Sequence, residues 1–319
     1  MSPDFICCEG VYLNSNDPKE ILPLITIGVC VRNSASTIRE AIESIISQDY
    51  PHELMEVIFV NDGSKDDTLS IIKEYASKMD MKVKIFHHKW RGLGFSRNVV
   101  VNNASGKYII WVDGDMILPK DHVSKQVKFM EKNPEIGIAK ARYGVLPNES
   151  LIGFLENCAF VAADHIYGAR PTSRTLGTGG SIYRVEAIRQ AGGFDVSLSG
   201  VGEDMEAENR VRKNGWLLYL ASPAVFYEQR RKSWRFMWSE NVWHGQGGYR
   251  VVCRDKRLIS LYKMIPPAGF LAGVWYATVA YRILHRKIIF LLPIHYALKR
   301  TAWCLGFLKC QLEGHKRAY

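Results

Sequence analysis

The chain has 319 residues, 47% of them hydrophobic, so it is long enough to bury a sizeable core in one large domain or two smaller ones. Its net charge of +10 is uneven, because residues 228–319 carry 17 basic and 4 acidic side chains whereas residues 1–227 carry 25 and 28. Hydrophobic runs within the basic part favour a membrane surface over nucleic acid as its partner. The seven scattered cysteines, without a Cys-x-x-Cys pair, argue against a disulfide framework or a zinc site.

The N-terminal segment, residues 1–22, is predicted to be a loosely attached lead-in to the folded region. Its first fifteen residues contain neither the basic segment nor the apolar stretch of a secretory signal. We therefore expect no secretory signal and a catalytic face in the cytoplasm.

Strand-like and helix-like segments alternate from residue 24 to residue 112. Continuous apolar runs are typical of buried parallel strands, and apolar residues spaced three or four apart are typical of amphipathic helices. The predicted strands are residues 24–31, 55–60, 82–87 and 108–112, and the predicted helices lie near residues 38–46, 66–79 and 94–103. This order predicts an α/β fold with a doubly wound, mostly parallel sheet and a cleft formed by the loops at one edge.

Such sheets often bind nucleotides, but the usual phosphate-binding motifs are missing here. No G-x-G-x-x-G follows the first predicted strand, and the P-loop lysine motif is absent. Phosphate must then be held in another way.

An acidic turn (residues 113–115) follows the fourth predicted strand, and in it Asp113 and Asp115 flank Gly114. Two like charges about 4 Å apart repel by roughly 4 kcal/mol at an effective dielectric constant near 20. A divalent cation with oxygen ligands reverses that sign and commonly carries substrate phosphates. A β-turn with glycine at its apex explains the same residues, so the pattern alone leaves both interpretations open.

Two further polar residues likewise allow both a functional and a structural interpretation. Asp62 ends the second predicted strand, where it can accept hydrogen bonds from a ribose or a base, or simply belong to an Asn-Asp-Gly turn. Arg97 places a cation near the same edge, or on a solvated helix face.

Read in order, these motifs resemble the inverting glycosyltransferases of family 2, which have the nucleotide-diphospho-sugar transferase fold called GT-A. The resemblance covers about residues 23–232 and keeps the order and spacing of the motifs. The segments that carry it are residues 31–33, 61–64, 94–98, 112–115, 177–184, 192–195 and 202–206.

The resemblance implies roles for individual residues. Asp62 contacts the nucleoside of the donor, Asp113 lies by the ribose and diphosphate, and Asp115 is a direct ligand of Mg²⁺ or Mn²⁺. The implied donor-binding residues are Arg32, Asn33, Asp62, Arg97, Asp113, Gly179, Gly180, Arg230 and Arg231, and the implied metal ligands are Asp113, Asp115 and Glu228.

The glycine-rich segment of residues 177–180 has too little side chain to be a core segment, and its backbone can approach a donor sugar closely. Inverting transfer needs one base to take the proton of the acceptor hydroxyl. The resemblance assigns that base to Asp204, with Glu203 as a neighbour that orients it or the acceptor. Helix capping at the start of residues 203–214 is the alternative explanation of this pair.

Glu228 stands where many relatives carry a histidine that can help to bind the metal, and a glutamate oxygen is a competent Mg²⁺ ligand. Arg230 and Arg231 can clamp a diphosphate, or form a basic surface. Residues 229–234 do not reproduce the Gln-x-x-Arg-Trp of the processive synthases in the family, which disfavours a processive polymerase.

The C-terminal region, residues 233–319, is basic and apolar. Its uncharged run of residues 264–281 is borderline in length for a spanning helix, and the runs 288–298 and 301–308 are interrupted by two basic residues. We expect one or two helices in the membrane interface, with a spanning hairpin or an ordinary helical subdomain as alternatives.

The sequence therefore predicts three segments: the lead-in, a catalytic domain of residues 23–232 and a membrane-associating helical region. The predicted activity is metal-dependent, inverting transfer of a hexose from a nucleotide-diphosphate sugar to a polyprenyl-lipid or glycan acceptor at the membrane, with no nucleic-acid partner. A sugar-phosphate nucleotidyltransferase and a non-catalytic membrane-bound sugar or lipid binding module are the alternatives.

Overall fold

A computed structural model of the chain describes residues 22–147, 149–198, 201–229 and 233–314. The strands are β1 (Ile25–Val31), β2 (Met55–Asp62), β3 (Lys82–His88), β4 (Tyr108–Trp111), β5 (Met116–Ile117), β6 (Ile136–Tyr143), β7 (Arg170–Pro171), β8 (Ser181–Arg184) and β9 (Leu217–Glu228). The helices are α1 (Ile38–Ile46), α2 (Thr68–Ala76), α3 (Leu93–Asn103), α4 (His122–Lys132), α5 (Leu151–Tyr167), α6 (Val185–Gln190), α7 (Glu203–Lys213), α8 (Trp234–Arg254), α9 (Pro266–Leu284) and α10 (Leu292–Gly314). The predicted lead-in, apart from Leu22, lies outside the described residues.

The strands form a mixed sheet in the order β3-β2-β1-β4-β8-β6-β9-β5, with β7 paired to β9. The first four strands in this order are parallel, as their alternation with helices predicted. Beyond β4 the sheet is mixed, because β8 is antiparallel to both β4 and β6 whereas β6 and β9 are parallel. The prediction of a mostly parallel sheet is thus confirmed for one half and needs correction for the other, where β8 runs back along β4 directly from the glycine-rich segment.

The central strands are buried on both faces, which is why their sequences are continuous apolar runs. Ile27, Phe59 and Ile110 belong to the core on one face, and Ile58 and Trp111 belong to the core on the other. Helices therefore cover both sides of the sheet, and the loops at its edges are left to carry polar residues.

Strand β9 is the longest strand that the structure describes, with 12 residues. Its far end pairs with β5, where Glu228 lies opposite Met116. The backbone N–H of Gln229 then donates a hydrogen bond to the carbonyl of Asp115 at 2.7 Å. This pairing places Glu228 beside the acidic turn, which the sequence order alone did not show.

Among the three C-terminal helices, α10 packs on both α8 and α9, and α9 also packs on α5. The apolar runs at 288–298 and 301–308 are not separate helices, because α10 continues through the basic residues between them. Among the helices that the structure describes, none combines the length and the hydropathy that a bilayer-spanning segment requires. The domain boundary predicted at 232/233 adjoins undescribed residues and stays a prediction.

Helix α9 has an unusual distribution of side chains. Its buried positions are small (Gly269, Gly273, Ala277 and Ala280), whereas its exposed positions are large and apolar (Phe270, Leu271, Val274 and Trp275). The glycines allow close packing on α10, since a Cβ on Gly273 would lie 2.6 Å from the Cα of Pro293. A helix on a water-exposed surface normally has large apolar side chains on its buried face and polar ones on its exposed face.

Candidate active site

The carboxyl ends of β1, β2 and β4 meet at one edge of the sheet, because these strands are parallel neighbours. Ligands of open α/β sheets collect at such an edge. The edge brings together the predicted residues of the first half of the chain, which are, in order along the chain, Arg32, Asn33, Asp62, Asp113 and Asp115.

Asp62 is buried, and its carboxylate braces the loop that leads into α3. One oxygen accepts a hydrogen bond from the N–H of Arg91 at 2.7 Å, and the other accepts one from the N–H of Gly92 at 3.0 Å. The Nδ1 atom of His88 lies 3.3 Å from the same carboxylate. Asp62 thus shapes the loop beside the predicted nucleoside site, and its contact with a nucleoside stays a prediction.

Asn33 and Arg32 differ in what they can offer a ligand. The side chain of Asn33 is engaged, because its oxygen accepts a hydrogen bond from the N–H of Lys65 at 2.8 Å. Arg32 is exposed, and its guanidinium lies 5.3 Å from the ring centre of Trp90, itself 55% exposed. Trp90 belongs to none of the motifs, and its only signal in the sequence is its place just after the third strand.

The acidic turn depends on Gly114 for its shape. A Cβ at this position would lie 2.9 Å from Cγ1 of Val31 and 3.0 Å from Cβ of Ser34, so a side chain would collide with β1 and the loop that follows it. The absence of a side chain lets the turn close against β1 and leaves Asp113 and Asp115 half-buried at its two ends.

The glycine-rich loop (residues 177–180) lies between the acidic turn and α7. A Cβ on Gly179 would lie 2.6 Å from Oδ2 of Asp113, so the backbone passes directly against this carboxylate. At the other end, a Cβ on Gly177 would lie 3.5 Å from Oδ2 of Asp204. The loop therefore connects the predicted diphosphate-binding carboxylate with the predicted base.

Buried side chains that the sequence analysis missed hold this loop in place. Glu208 accepts hydrogen bonds from the N–H groups of Leu176 at 2.8 Å and Gly177 at 2.7 Å. Gln126 donates to the carbonyl of Gly180 at 3.2 Å, and Lys140 donates to the carbonyl of Gly179. Burial raises the pKa of Glu208 to about 7, and the hydrogen bonds from the loop oppose that shift.

Asp204 and Glu203 are adjacent at the start of α7 but have different surroundings. Asp204 is partly exposed, and one of its oxygens accepts a hydrogen bond from the N–H of Met205 at 2.7 Å while the other faces the glycine-rich loop. Glu203 is buried and forms an ion pair with Arg97, which is buried too. Of the two carboxylates, only Asp204 has the access that a proton acceptor needs.

The pair of Arg97 and Glu203 joins α3 to α7 beneath the site. Burial opposes the charge of Arg97, but the carboxylates of Glu203, Asp204 and Asp113 hold its pKa above the ordinary value. Its guanidinium also lies 5.7 Å from the ring centre of Phe194. Arg97 is therefore a fixed cation at the base of the site.

Replacement of Arg97 by Met should destabilise the protein strongly, because it leaves Glu203 buried without its partner. Breaking a buried ion pair from one side typically costs about 3–5 kcal/mol. Urea unfolding of the two proteins measures the difference. Arg39→Met is the matched control, since Arg39 pairs with Glu74 on the exposed surface and should change stability little. Equal midpoints for both variants would contradict the structural role of Arg97.

A divalent cation fits the acidic turn by the chemistry of its donors. Mg²⁺ is commonly held by one or two carboxylates together with substrate phosphates and water, so Asp113 and Asp115 suffice on the protein side. Within residues 22–314 as described, no group of three or more His, Cys, Asp or Glu side chains is arranged to hold a metal ion. The role of Glu228 as a third ligand stays a prediction, and the Lys140 ammonium is close enough to interact with it electrostatically.

Two predicted donor-binding residues, Arg230 and Arg231, lie outside the described residues. The predictions for them remain untested.

Comparison with known proteins places the chain in a family. Residues 26–190 match the sequence profile described as "Glycosyl transferase family 2", which is more than half of the chain. The chain belongs to glycosyl transferase family 2. The resemblance inferred from the ordered motifs is thereby confirmed, and so is the prediction that the protein is a glycosyltransferase.

Curated relatives within family 2 are moderately similar in sequence. The chain is 24% identical over 237 residues to a poly-beta-1,6-N-acetyl-D-glucosamine synthase of Staphylococcus epidermidis, covering 70% of this chain and 54% of that protein. It is 42% identical over 119 residues to an uncharacterized glycosyltransferase of Haemophilus influenzae, covering 37% and 36%. The chain thus spans about half the length, or less, of these relatives.

Solved structures confirm the GT-A-like fold of this family 2 member. The mannosyltransferase PcManGT of Pyrobaculum calidifontis, in complex with GDP-Man and Mn²⁺, superposes with a TM-score of 0.65 at 18% identity, covering 91% of this chain and 88% of that one. GalNAc-T7 with UDP, GalNAc and Mn²⁺ gives a TM-score of 0.52 at 16% identity, covering 66% and 44%. The coverage by PcManGT includes most of the C-terminal region as well as the sheet.

Proposed function

We propose that the protein is a metal-dependent, inverting hexosyltransferase that moves one sugar from a nucleotide-diphosphate donor to a lipid-linked acceptor at a membrane. The observation that carries this proposal is the position of the glycine-rich loop, which lies against Asp113 at one end and against Asp204 at the other. A donor sugar on this loop would have its leaving diphosphate at the acidic turn and its anomeric carbon toward Asp204.

In this proposal each carboxylate has a separate task. Asp204 takes the proton of the acceptor hydroxyl as the oxygen attacks the anomeric carbon, and one displacement inverts the configuration at that carbon. Asp113 and Asp115 would hold the cation, which would supply Lewis-acid stabilisation of the leaving diphosphate. The donors and the Mn²⁺ named for PcManGT and GalNAc-T7 support this choice of donor and cation.

The surface of the C-terminal region supports a membrane acceptor. All but four of the large apolar side chains that are exposed in the described residues lie in residues 234–312, and the four others are Trp90, Leu151, Val196 and Leu217. The same region carries most of the excess positive charge. Apolar side chains together with basic ones are what an interfacial helix presents to anionic lipid. We therefore propose that α9 lies in the membrane interface and that the catalytic domain is on the cytoplasmic side.

The proposed activity is tested by offering a panel of nucleotide sugars with Mn²⁺, first by thermal shift and then by transfer of labelled sugar into a membrane lipid extract. We expect one nucleotide sugar to stabilise the protein and to yield labelled lipid together with released nucleoside diphosphate. Mass spectrometry should show a single added hexose, since the motif of processive synthases is missing. Release of inorganic diphosphate from a nucleoside triphosphate and a sugar phosphate would instead identify a nucleotidyltransferase. Binding of a nucleotide sugar without any turnover would identify a binding module.

Membrane binding through α9 can be tested separately. Replacing Leu271 and Trp275, which are 69% and 56% exposed, by Glu should lower the partition coefficient for anionic vesicles by at least roughly tenfold, because burial of each side chain contributes about 1.5–3 kcal/mol. Cosedimentation with phosphatidylglycerol vesicles measures this loss. Val196→Glu is the matched control, because Val196 is equally exposed (54%) but lies on the catalytic domain. Unchanged partition of the double variant would contradict the proposed orientation.

A further inference from the structure

Lys140, on β6, is a buried cation to which neither the motifs nor the proposed chemistry assign a role. Its side chain is only 3% exposed, and its ammonium donates a hydrogen bond to the carbonyl of Gly179. The rings of Tyr143 and Phe226 lie beneath it, each with its centre 5.2 Å from Nζ. The residue thus reaches from the sheet into the back of the glycine-rich loop.

The charges around Lys140 are carboxylates from four different elements. Glu228, Asp113, Asp164 and Glu208 all interact favourably with the ammonium and oppose the effect of burial, which lowers its pKa. Removing an ammonium from water is costly, and an apolar side chain of similar volume is often neutral or stabilising at such a position. Packing alone therefore does not explain a lysine here, whereas a polar contact with the loop does.

Lys140 and Glu208 hold the loop from its two ends. Glu208 is fully buried and binds the N–H groups of Leu176 and Gly177, and Lys140 binds the carbonyl of Gly179. Glu208 thus fixes the N–H groups at the start of the loop and Lys140 fixes a carbonyl near its end, while Gly179 and Gly177 lie close to Asp113 and Asp204. The Nζ atom of Lys140 would be 4.0 Å from a Cβ on Gly177, so both ends of the loop are within its reach.

We propose that Lys140 is a positioning residue that fixes the Gly177–Gly180 loop as the subsite for the donor sugar. The inference rests on the proposed glycosyl transfer. In the proposed function the nucleoside and diphosphate are bound by other elements, namely the ends of β1, β2 and β4. Loss of the Lys140 contact should therefore weaken binding of the sugar moiety and leave binding of the nucleoside diphosphate nearly intact.

The experiment compares the affinity for the nucleotide sugar with that for the matching nucleoside diphosphate in the full chain, by calorimetry with Mn²⁺. Lys140→Met should raise the Kd of the nucleotide sugar about tenfold and change the Kd of the nucleoside diphosphate less than twofold. Lys140→Arg, which keeps a cationic donor, should restore part of the difference. Lys125→Met is the control for loss of one positive charge, because Lys125 is exposed on α4 and pairs with Asp121.

Three outcomes separate the possibilities. If Lys140→Met weakens the binding of both ligands equally, or changes neither affinity, the positioning role is overturned. If Lys140→Met does not fold, Glu208→Gln tests the same loop from its other end, and an unchanged ratio of the two affinities there would overturn it as well. If the wild-type protein neither binds nor transfers any nucleotide sugar, the proposed function itself is refuted. If the wild-type protein is active and the Lys140 variant behaves in the same way, only the positioning role of Lys140 is refuted.

Discussion

Asp204→Asn is expected to lower kcat for sugar transfer by about 10²- to 10⁴-fold, the range that general-base catalysis contributes. The amide has nearly the shape of the carboxylate but cannot accept the proton of the acceptor hydroxyl. Because the second Asp204 oxygen only faces the loop, the Kd of the donor should change little. Initial rates with saturating donor, together with donor affinity, measure the two effects separately.

Two controls distinguish loss of the base from a general disturbance of α7. Glu206→Gln changes a carboxylate on the same helix that pairs with Arg210 away from the loop, so kcat should be nearly unchanged. Glu203→Gln changes the buried partner of Arg97, so it should lower the stability of the fold clearly and kcat only slightly. A normal kcat for Asp204→Asn would remove Asp204 as the base. A selective loss of kcat in Glu203→Gln would transfer the role to Glu203.

Asp115→Ala is expected to abolish the dependence of donor binding on the divalent cation. Lewis-acid stabilisation of several kcal/mol corresponds to a loss in kcat/KM of roughly 10²- to 10³-fold. The Kd of the nucleoside diphosphate should become the same with and without Mn²⁺, whereas for the wild-type protein Mn²⁺ should tighten it. Calorimetry in the presence of Mn²⁺ or of a chelator gives this difference without any need for turnover.

Asp121→Ala is the matched control for Asp115→Ala. Asp121 lies just before α4 with a partly exposed side chain and pairs with Lys125, so its removal should leave the effect of Mn²⁺ unchanged. Retention of the full Mn²⁺ effect in Asp115→Ala would show that the acidic turn does not hold the cation. The same measurement with Glu228→Gln tests whether a third carboxylate contributes, and we expect a smaller loss there because Lys140 already interacts with Glu228.

Much of the first half of the fold could be predicted from the sequence. Strands β1 to β4 are buried on both faces, so each is a continuous apolar run, and the alternation with helices fixes their parallel order. The acidic turn was visible for the same reason, because its two carboxylates end such a run at Trp111 and Val112.

The second half of the sheet was harder to predict, for physical reasons. Strand β8 has only four residues, and its direction is set by the loop before it rather than by a pattern of its own. Strand β9 contains Pro223 and pairs with β6 through shifts in register, so its length of 12 residues could not be inferred from its sequence. The position of Glu228 beside the acidic turn follows from this irregular strand.

The sequence by itself determined the family, the parallel half of the sheet and the set of candidate carboxylates, because each of these depends on local runs and their order. The resemblance implied different roles for Asp204 and Glu203, but only the tertiary structure gave a physical difference between them, since the burial of Glu203 and its contact with Arg97 join segments more than 100 residues apart in the chain. It alone also revealed Lys140 and Glu208, which lie within ordinary strand and helix patterns. Their hydrogen bonds to the glycine-rich loop exist only after β6, α7 and the loop have been brought together in the folded core.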